Sequence, residues 1–401
     1  MDAAAHDTEL LESPPAVPSA PRVRFDRNEF SGAFGDLGTD FPLLVGMIAA
    51  AHLDSTSVLV AYGLMEIGTG LYYRLPMPVQ PLKAVAVIVI TQHIAGNILR
   101  GAGLAIGVAM LLLSVFGLLD WLARIVPKSV IRGIQLGLGL QLAGIALRDY
   151  VGADQAAGWW LAGLAFVIIV VLLGNRRLPA GVPVIVLGIV YALAFKIDVR
   201  GLVAGFGVHV PQLTVPTPGD VAQGFLLLAL PQIPLSLGNS ILATRQIVKD
   251  FFPEVDLPVR KIGLTYAVMN LINPFIGGVP TCHGSGGVAG HYAFGGRTGG
   301  SVVIYGTVFL LLGLFCGGAF TEMVKVFPLP LLGVLLLFEG LYLVLVIRDV
   351  ADSASGLRIA ALVGLCAAFL PYGYVVGLVL GTILAHLAER GLTGFAGAAP
   401  S

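Results

Sequence analysis

Pro76-Met77-Pro78-Val79-Gln80-Pro81-Leu82-Lys83 is the stretch on which the fold turns. Each proline lacks a backbone N–H and pushes the residue before it into extended geometry, so this run is not regular helix. Helix can begin at about Gln80 or Pro81, because a first-turn proline sacrifices no hydrogen bond. The next residues, Ala84 to Ile90, are wholly apolar. The segment reads as an extended strand feeding a short apolar helix, with Lys83 less than one turn inside it. Val279-Pro280-Thr281-Cys282-His283-Gly284-Ser285-Gly286-Gly287 has the same character: extended, then helical.

The two stretches are one repeat apart. Pro78 to Pro280 is 202 residues, Leu37-Gly38 to Leu237-Gly238 is 200, and Pro127 to Pro328 is 201. One spacing held at three landmarks marks an internal duplication. Composition says what is duplicated. Of 401 residues, 57% are hydrophobic and 11% charged, with a mean hydropathy of +0.91, against about 25% charged in a soluble domain. One water-soluble core could not hide that much apolar surface. The apolar runs are helix-length, too long for the strands of an outer-membrane barrel. An all-α polytopic membrane protein remains. Its 23 basic and 23 acidic residues balance, which points away from nucleic acid. No GxxxxGK[ST] loop occurs, so no ATP is hydrolysed by that machinery. Cys282, Cys316 and Cys366, odd in number and without CxxC spacing, argue against disulfides or zinc. No cofactor or metal is implied.

Residues 1–30, proline-rich and ending in Arg22, Arg24 and Arg27, read as a disordered cytosolic tail. At about 20 residues per span the rest accommodates about 14 segments. They divide into a first repeat, 31–200, and a second, 201–390, with a short tail at 391–401 and no soluble regulatory domain. Seven segments per repeat, an odd number, inverts the second against the first. Lys and Arg placement agrees: 17 of the 23 fall on the side of the N-terminus and five on the other. By the positive-inside rule both termini are then cytosolic. Only Lys83 lies within a segment.

Segments 3 (81–95) and 10 (284–295) are the punctuated ones. Inversion aims their half-helix N-termini at each other near the midplane. Each carries free N–H groups and about +0.5 charge. With Lys83 the sum is about +2, suited to a dianion. A charge at that depth costs on the order of 3 kcal/mol and is functional by default. Gly284, Gly286 and Gly287 let backbone amides approach a ligand. Thr281, His283 and Ser285 add neutral donors.

These residues resemble the molybdate transporter family, a branch related to the sulfate permease (SulP) superfamily. Phe34-Gly35-Asp36-Leu37-Gly38-Thr39, Pro76 to Lys83, Leu230-Pro231-Gln232-Ile233-Pro234-Leu235 and Cys282 to Gly287 carry the resemblance, which runs from about Phe30 to Leu387. It implies a fourteen-segment inverted repeat with core and gate domains, substrate held between segments 1, 3, 8 and 10, and a homodimer. Departures fall at His291 and Ala293, where a glutamine and a basic residue are expected, and at Asp40, commonly apolar or aromatic.

The expected function is secondary active transport of a tetrahedral oxyanion by alternating access. Molybdate comes first and sulfate second, with proton coupling, in a bacterial inner membrane or its equivalent. Candidate substrate contacts are Thr39, Gln80, Lys83, Gln232, Ser236, Asn239, Cys282, His283, Gly284, Ser285 and Gly286. Asp36, Glu66 and Glu339 are the coupling candidates. Each has a plainer reading. Lys83 can pair with a carboxylate; Gln80 and Gln232 can tie broken helices together. Asp36 can hold Lys83 or backbone donors; Cys282 can simply pack. Arg297 sits where an anion could gain access. A nucleobase carrier would want carboxylates on segments 8 and 10, which have none. An anion channel of the same fold, or an intramembrane enzyme built on His283 and Ser285, are further alternatives; the expectation is that the chain is not an enzyme.

Overall fold

The computed structural model describes residues 22–119, 121, 125–175, 178–196 and 199–392. Residues 1–21 and 393–401, and with them most of the expected tails, lie outside the described residues, as do Arg124, Arg176 and Arg177 of the cytosolic basic set. Six described helices are long and apolar enough to cross a membrane: Gly96–Val115, Lys128–Tyr150, Gln155–Leu172, Pro218–Phe251, Gly300–Val326 and Leu329–Val350. Other helices include Leu37–Ala51, Ser55–Tyr73, Lys83–Gln92, Gly181–Phe195, Val259–Ile272, Ser285–Ala293, Ala354–Phe369 and Gly373–Glu389.

Local signals start several of them. Asp54 accepts from the Ser57 amide at 2.7 Å and opens Ser55–Tyr73. Thr217 and Asp220 form a reciprocal capping box that opens Pro218–Phe251. That helix runs for 34 residues. Pro231 and Pro234 cost it backbone donors, and wider π turns at Phe225–Ala229 and Ser236–Leu242 carry the chain past them. The start of Gly300–Val326 is held from far away in sequence. The Glu29 carboxylate, 1% exposed, accepts from the amides of Arg297, Thr298 and Ser301 at 2.9–3.0 Å, so the helix Arg27–Gly32 docks against it.

The helices sort into two packing groups. In one, Ser55–Tyr73 lies along Gly300–Val326, and Val259–Ile272 along Gly96–Val115. Backbones touch there: a Cβ on Gly63 would stand 2.5 Å from the Gly306 carbonyl oxygen. In the other, Lys128–Ile145 packs on Leu329–Leu345 and Ala354–Phe369, which meets Gly373–Glu389. Each group draws helices from both halves of the sequence, so neither half is a packing unit by itself. Gln155–Leu172 and Gly181–Phe195 leave much apolar surface outward, including Val171 and Phe195, as helices bathed in lipid do.

The candidate anion site

Against the first group, beside Val259–Ile272, the described residues make two short strands, β1 (Gln80–Pro81) and β2 (Thr281–Cys282). They pair antiparallel, Gln80 opposite Cys282 and Pro81 opposite Thr281. Each runs directly into a short helix, Lys83–Gln92 or Ser285–Ala293. The antiparallel register sends the two helices away in opposite directions, so both N-termini converge on the strand pair. Asn270 fixes β2 by accepting from the Thr281 amide at 3.0 Å and donating to its carbonyl at 2.6 Å.

The two N-termini differ. In the first short helix, Gln232 Oε1 accepts from the amides of Ala84 and Val85 at 3.0 and 3.3 Å. Its Nε2 donates to Ser236 Oγ, which bonds Tyr266. Gln232 therefore caps that helix across from Pro218–Phe251. In the second, no side chain caps the start, and Ser285, Gly286 and Gly287 find no amide acceptor among the described residues. The Gln80 side chain lies against Gly284 so closely that any Cβ there would overlap it. Gln80 Nε2 donates to Asp36 Oδ2 at 2.5 Å.

A cavity of about 350 Å³ opens on this junction. Gln80, Lys83, Gln232, Asn239, Cys282, Gly284, Ser285 and Gly286, all expected at the site, line it. Thr39, Ser236 and His283 do not. For His283 the reason is strand alternation, which turns successive side chains to opposite faces. Cys282 faces the cavity, while His283 turns into the interior, 3.3 Å from the Pro78 carbonyl and 2.8 Å from Thr265 Oγ1. Ser236 is fully buried between Gln232 and Tyr266. Thr39 is half-buried on Leu37–Ala51.

The positive charge is smaller than the sequence tally of about +2, because two of its sources are already occupied. Gln232 takes two amides of the first helix, and Lys83 Nζ lies 2.6 Å from Glu339 Oε1. Lys83 also sits 4.9 Å above the Tyr342 ring. Asp36 holds Gln80 rather than Lys83. Arg297 stacks on Tyr292 at 3.6 Å and donates to nearby carbonyls, off the cavity wall.

The wall also contains residues that sequence reasoning left out of the site: Arg132, Gln135, Tyr342, Arg348 and Asp349. Arg132 Nη2 is 2.5 Å from Asp349 Oδ2, and Nη1 reaches Gln135 at 2.8 Å and Asn239 at 3.3 Å. Linear sequence shows Arg132 and Arg348 only as loop cations at segment ends. Nothing in their spacing reveals that the fold brings them over the junction.

Behind Gln80 lies a buried polar cluster. The Tyr62 hydroxyl is 2.6 Å from both Asp40 Oδ2 and the Val79 carbonyl oxygen, and Tyr305 reaches Asp40 at 3.3 Å. These tyrosines satisfy Asp40 Oδ2, while its Oδ1 has no partner among the described residues. Glu66 is fully buried with both carboxylate oxygens unpartnered, and His291, 5.9 Å from the Tyr305 ring, has both ring nitrogens unpartnered.

The architecture matches solved membrane transporters at low sequence identity. The transmembrane domain of a cyanobacterial bicarbonate transporter, BicA, aligns with a TM-score of 0.63 at 16% identity, covering 91% of this chain and 98% of that one. The murine Slc26a9 anion transporter in its inward-facing state gives 0.69 at 13%, covering 91% and 68%. Six apolar helices of membrane-crossing length and a fold shared with these structures define a multi-pass integral membrane protein. A family model described as "Molybdate transporter of MFS superfamily" matches residues 28–142 and 224–343. Molybdate transporter 2 of Arabidopsis thaliana is 32% identical over 411 residues, covering 89% of this chain and 87% of its own. The chain belongs to the molybdate transporter family.

Proposed function

We propose that this chain is a secondary active transporter of a tetrahedral oxyanion, molybdate before sulfate, working by alternating access. The observation that carries the reading is the strand crossing. Two short helices end on one cavity, one N-terminus is uncapped and glycine-rich, and Lys83 stands on the wall. Free amides and a lysine are what an oxyanion needs on its oxygens. Cys282, Gly284, Ser285 and Gly286 contact the anion, with Lys83, Gln80 and Asn239 around it. Gln232 acts by holding the first helix in place.

The architecture in this reading is a 7+7 inverted repeat with both termini cytosolic. The packing supports it. An offset of about 201 carries the pair Ser55–Tyr73 with Gly300–Val326 onto Val259–Ile272 with Gly96–Val115, and these pairs pack alike. The group containing the strand crossing is the core, and the group containing Lys128–Ile145 and Leu329–Leu345 is the gate. The protein works as a homodimer. Protons drive uptake, and Glu66 carries them. Among the three coupling candidates it alone lacks a partner for its carboxylate; Asp36 has Gln80 and Glu339 has Lys83.

Uptake of radiolabelled molybdate into proteoliposomes, with tungstate, sulfate and uracil as competitors and under several pH gradients, tests this reading. Saturable uptake is expected, competed by tungstate, less by sulfate and not by uracil, and stimulated by an acidic outside. Glu66→Gln should remove the stimulation. Molybdate binding unaltered by Lys83→Ala, or competition by uracil alone, would overturn the assignment.

A further inference from the structure

Two cations on the cavity wall carry internal counter-ions, and one segment supplies both. Glu339 lies on Leu329–Leu345, and Asp349 on the 3-10 turn Val346–Val350 that continues it. Glu339 meets Lys83 of the first short helix at 2.6 Å. Asp349 meets Arg132 of Lys128–Ile145 at 2.5 Å. The first ion pair joins the two packing groups. The second lies within one group, and its guanidinium also reaches out to Asn239 of Pro218–Phe251.

These are not surface salt bridges of negligible worth. The side chains of Glu339, Arg132 and Lys83 are only 8%, 17% and 18% exposed. A partly buried cation stripped of its carboxylate is strongly disfavoured unless another anion replaces it. Exchange is therefore the one inexpensive way to open either pair. The cavity that both cations line is where such an anion would arrive.

We propose that Glu339 and Asp349 are built-in stand-ins for the transported anion. The arriving oxyanion takes Lys83 and Arg132 away from them, and the loss of the Lys83–Glu339 pair releases the segment Leu329–Val350 from the first short helix. This rests on the anion-transport reading above. Charge matching makes the exchange selective. One dianion replaces two monovalent carboxylates, whereas a monoanion of the same shape leaves one pair closed. Displaced Asp349 keeps favourable company, since Lys128 Nζ is 4.0 Å from it and Arg348 is its neighbour on the wall. Binding and gate release are thereby the same event, which is the differential interaction that a ligand must have to shift a conformational equilibrium.

The test is equilibrium binding of molybdate, and of perrhenate as a tetrahedral monoanion, to the purified full-length protein. The variants are Asp349→Asn, Glu339→Gln, Arg132→Ala, Lys83→Ala and the double Arg132→Ala/Asp349→Asn. Removing a stand-in should tighten molybdate binding, by about three- to tenfold, and narrow the preference for molybdate over perrhenate. Removing a cation should weaken molybdate binding by about tenfold. Asp349→Asn should have no effect once Arg132 is gone. Half-exposed Asp349 makes its variant safe to fold, and Arg132→Lys serves if Arg132→Ala does not accumulate. If Asp349→Asn and Glu339→Gln weaken molybdate binding as the cation variants do, the carboxylates only position the cations, and the proposal is overturned. A wild-type protein that binds perrhenate and not molybdate would overturn it too. A wild-type protein that binds neither would overturn the transport reading as well.

Discussion

The two short helices meet end to end across one strand pair, yet their N-termini are used differently. The first is closed: Gln232 occupies the amides of Ala84 and Val85, and Lys83 is held by Glu339. The second is open: Ser285, Gly286 and Gly287 carry no cap, and the cavity reaches the first two. Two similar strand-to-helix junctions are thus two different parts, one closed and one open. The reason is chemical. A glutamine across a helix start satisfies amides permanently, while glycines leave them available and leave room for something else to come near.

Substitutions at the two ends should separate these parts. The largest effect is expected at Gly284. Any Cβ there overlaps the Gln80 side chain, so Gly284→Ala should lower molybdate uptake at least tenfold, read at matched protein levels in proteoliposomes. Adding Gln80→Ala should restore the space, and with it thermal stability in detergent. Next comes Gln232→Leu, which uncaps the first helix. It should cost about 1–2 kcal/mol, seen as a lower midpoint of thermal unfolding. An unchanged midpoint would mean that the closed end needs no closing.

Smaller effects belong to the open end. A Cβ on Gly286 meets nothing within 4 Å, so Gly286→Ala should leave stability alone. By crowding the free amides it should weaken molybdate binding by about threefold, on the scale of one imperfect hydrogen bond. A fall in stability without a change in binding would reverse the roles given to the two helices. The smallest signal is chemical labelling. Cys282 is the cysteine on the cavity wall, whereas Cys316 and Cys366 are not. Molybdate should slow the reaction of Cys282 with a small thiol reagent and leave the other two unaffected.

Much of this was legible in the sequence because it depends on local chemistry. Proline placement marks the breaks at Pro78 and Pro280 whatever the surroundings. Glycine and serine after a break mark a helix start without a side-chain cap. Even the alternation that turns His283 away from Cys282 follows once a strand is accepted there, and treating the whole run as donors overlooked it. Glu29 shows the other case. Its capping of Gly300–Val326 spans more than 260 residues of chain, and no local pattern distinguishes it from an ordinary surface glutamate.

The sequence by itself determined the solvent the chain lives in, the two breaks, the repeat spacing and the one lysine set among apolar residues. All of these come from composition, from proline's missing N–H and from the cost of burying charge. Only the tertiary structure decided which partner each polar group takes. Gln232 became a cap, Lys83 found Glu339, Asp36 found Gln80, and Arg132 left the loops for the cavity wall. Partner choice depends on atoms meeting across helices far apart in the chain. In a low-dielectric interior an unmet polar group is costly, so the pairing is settled by packing.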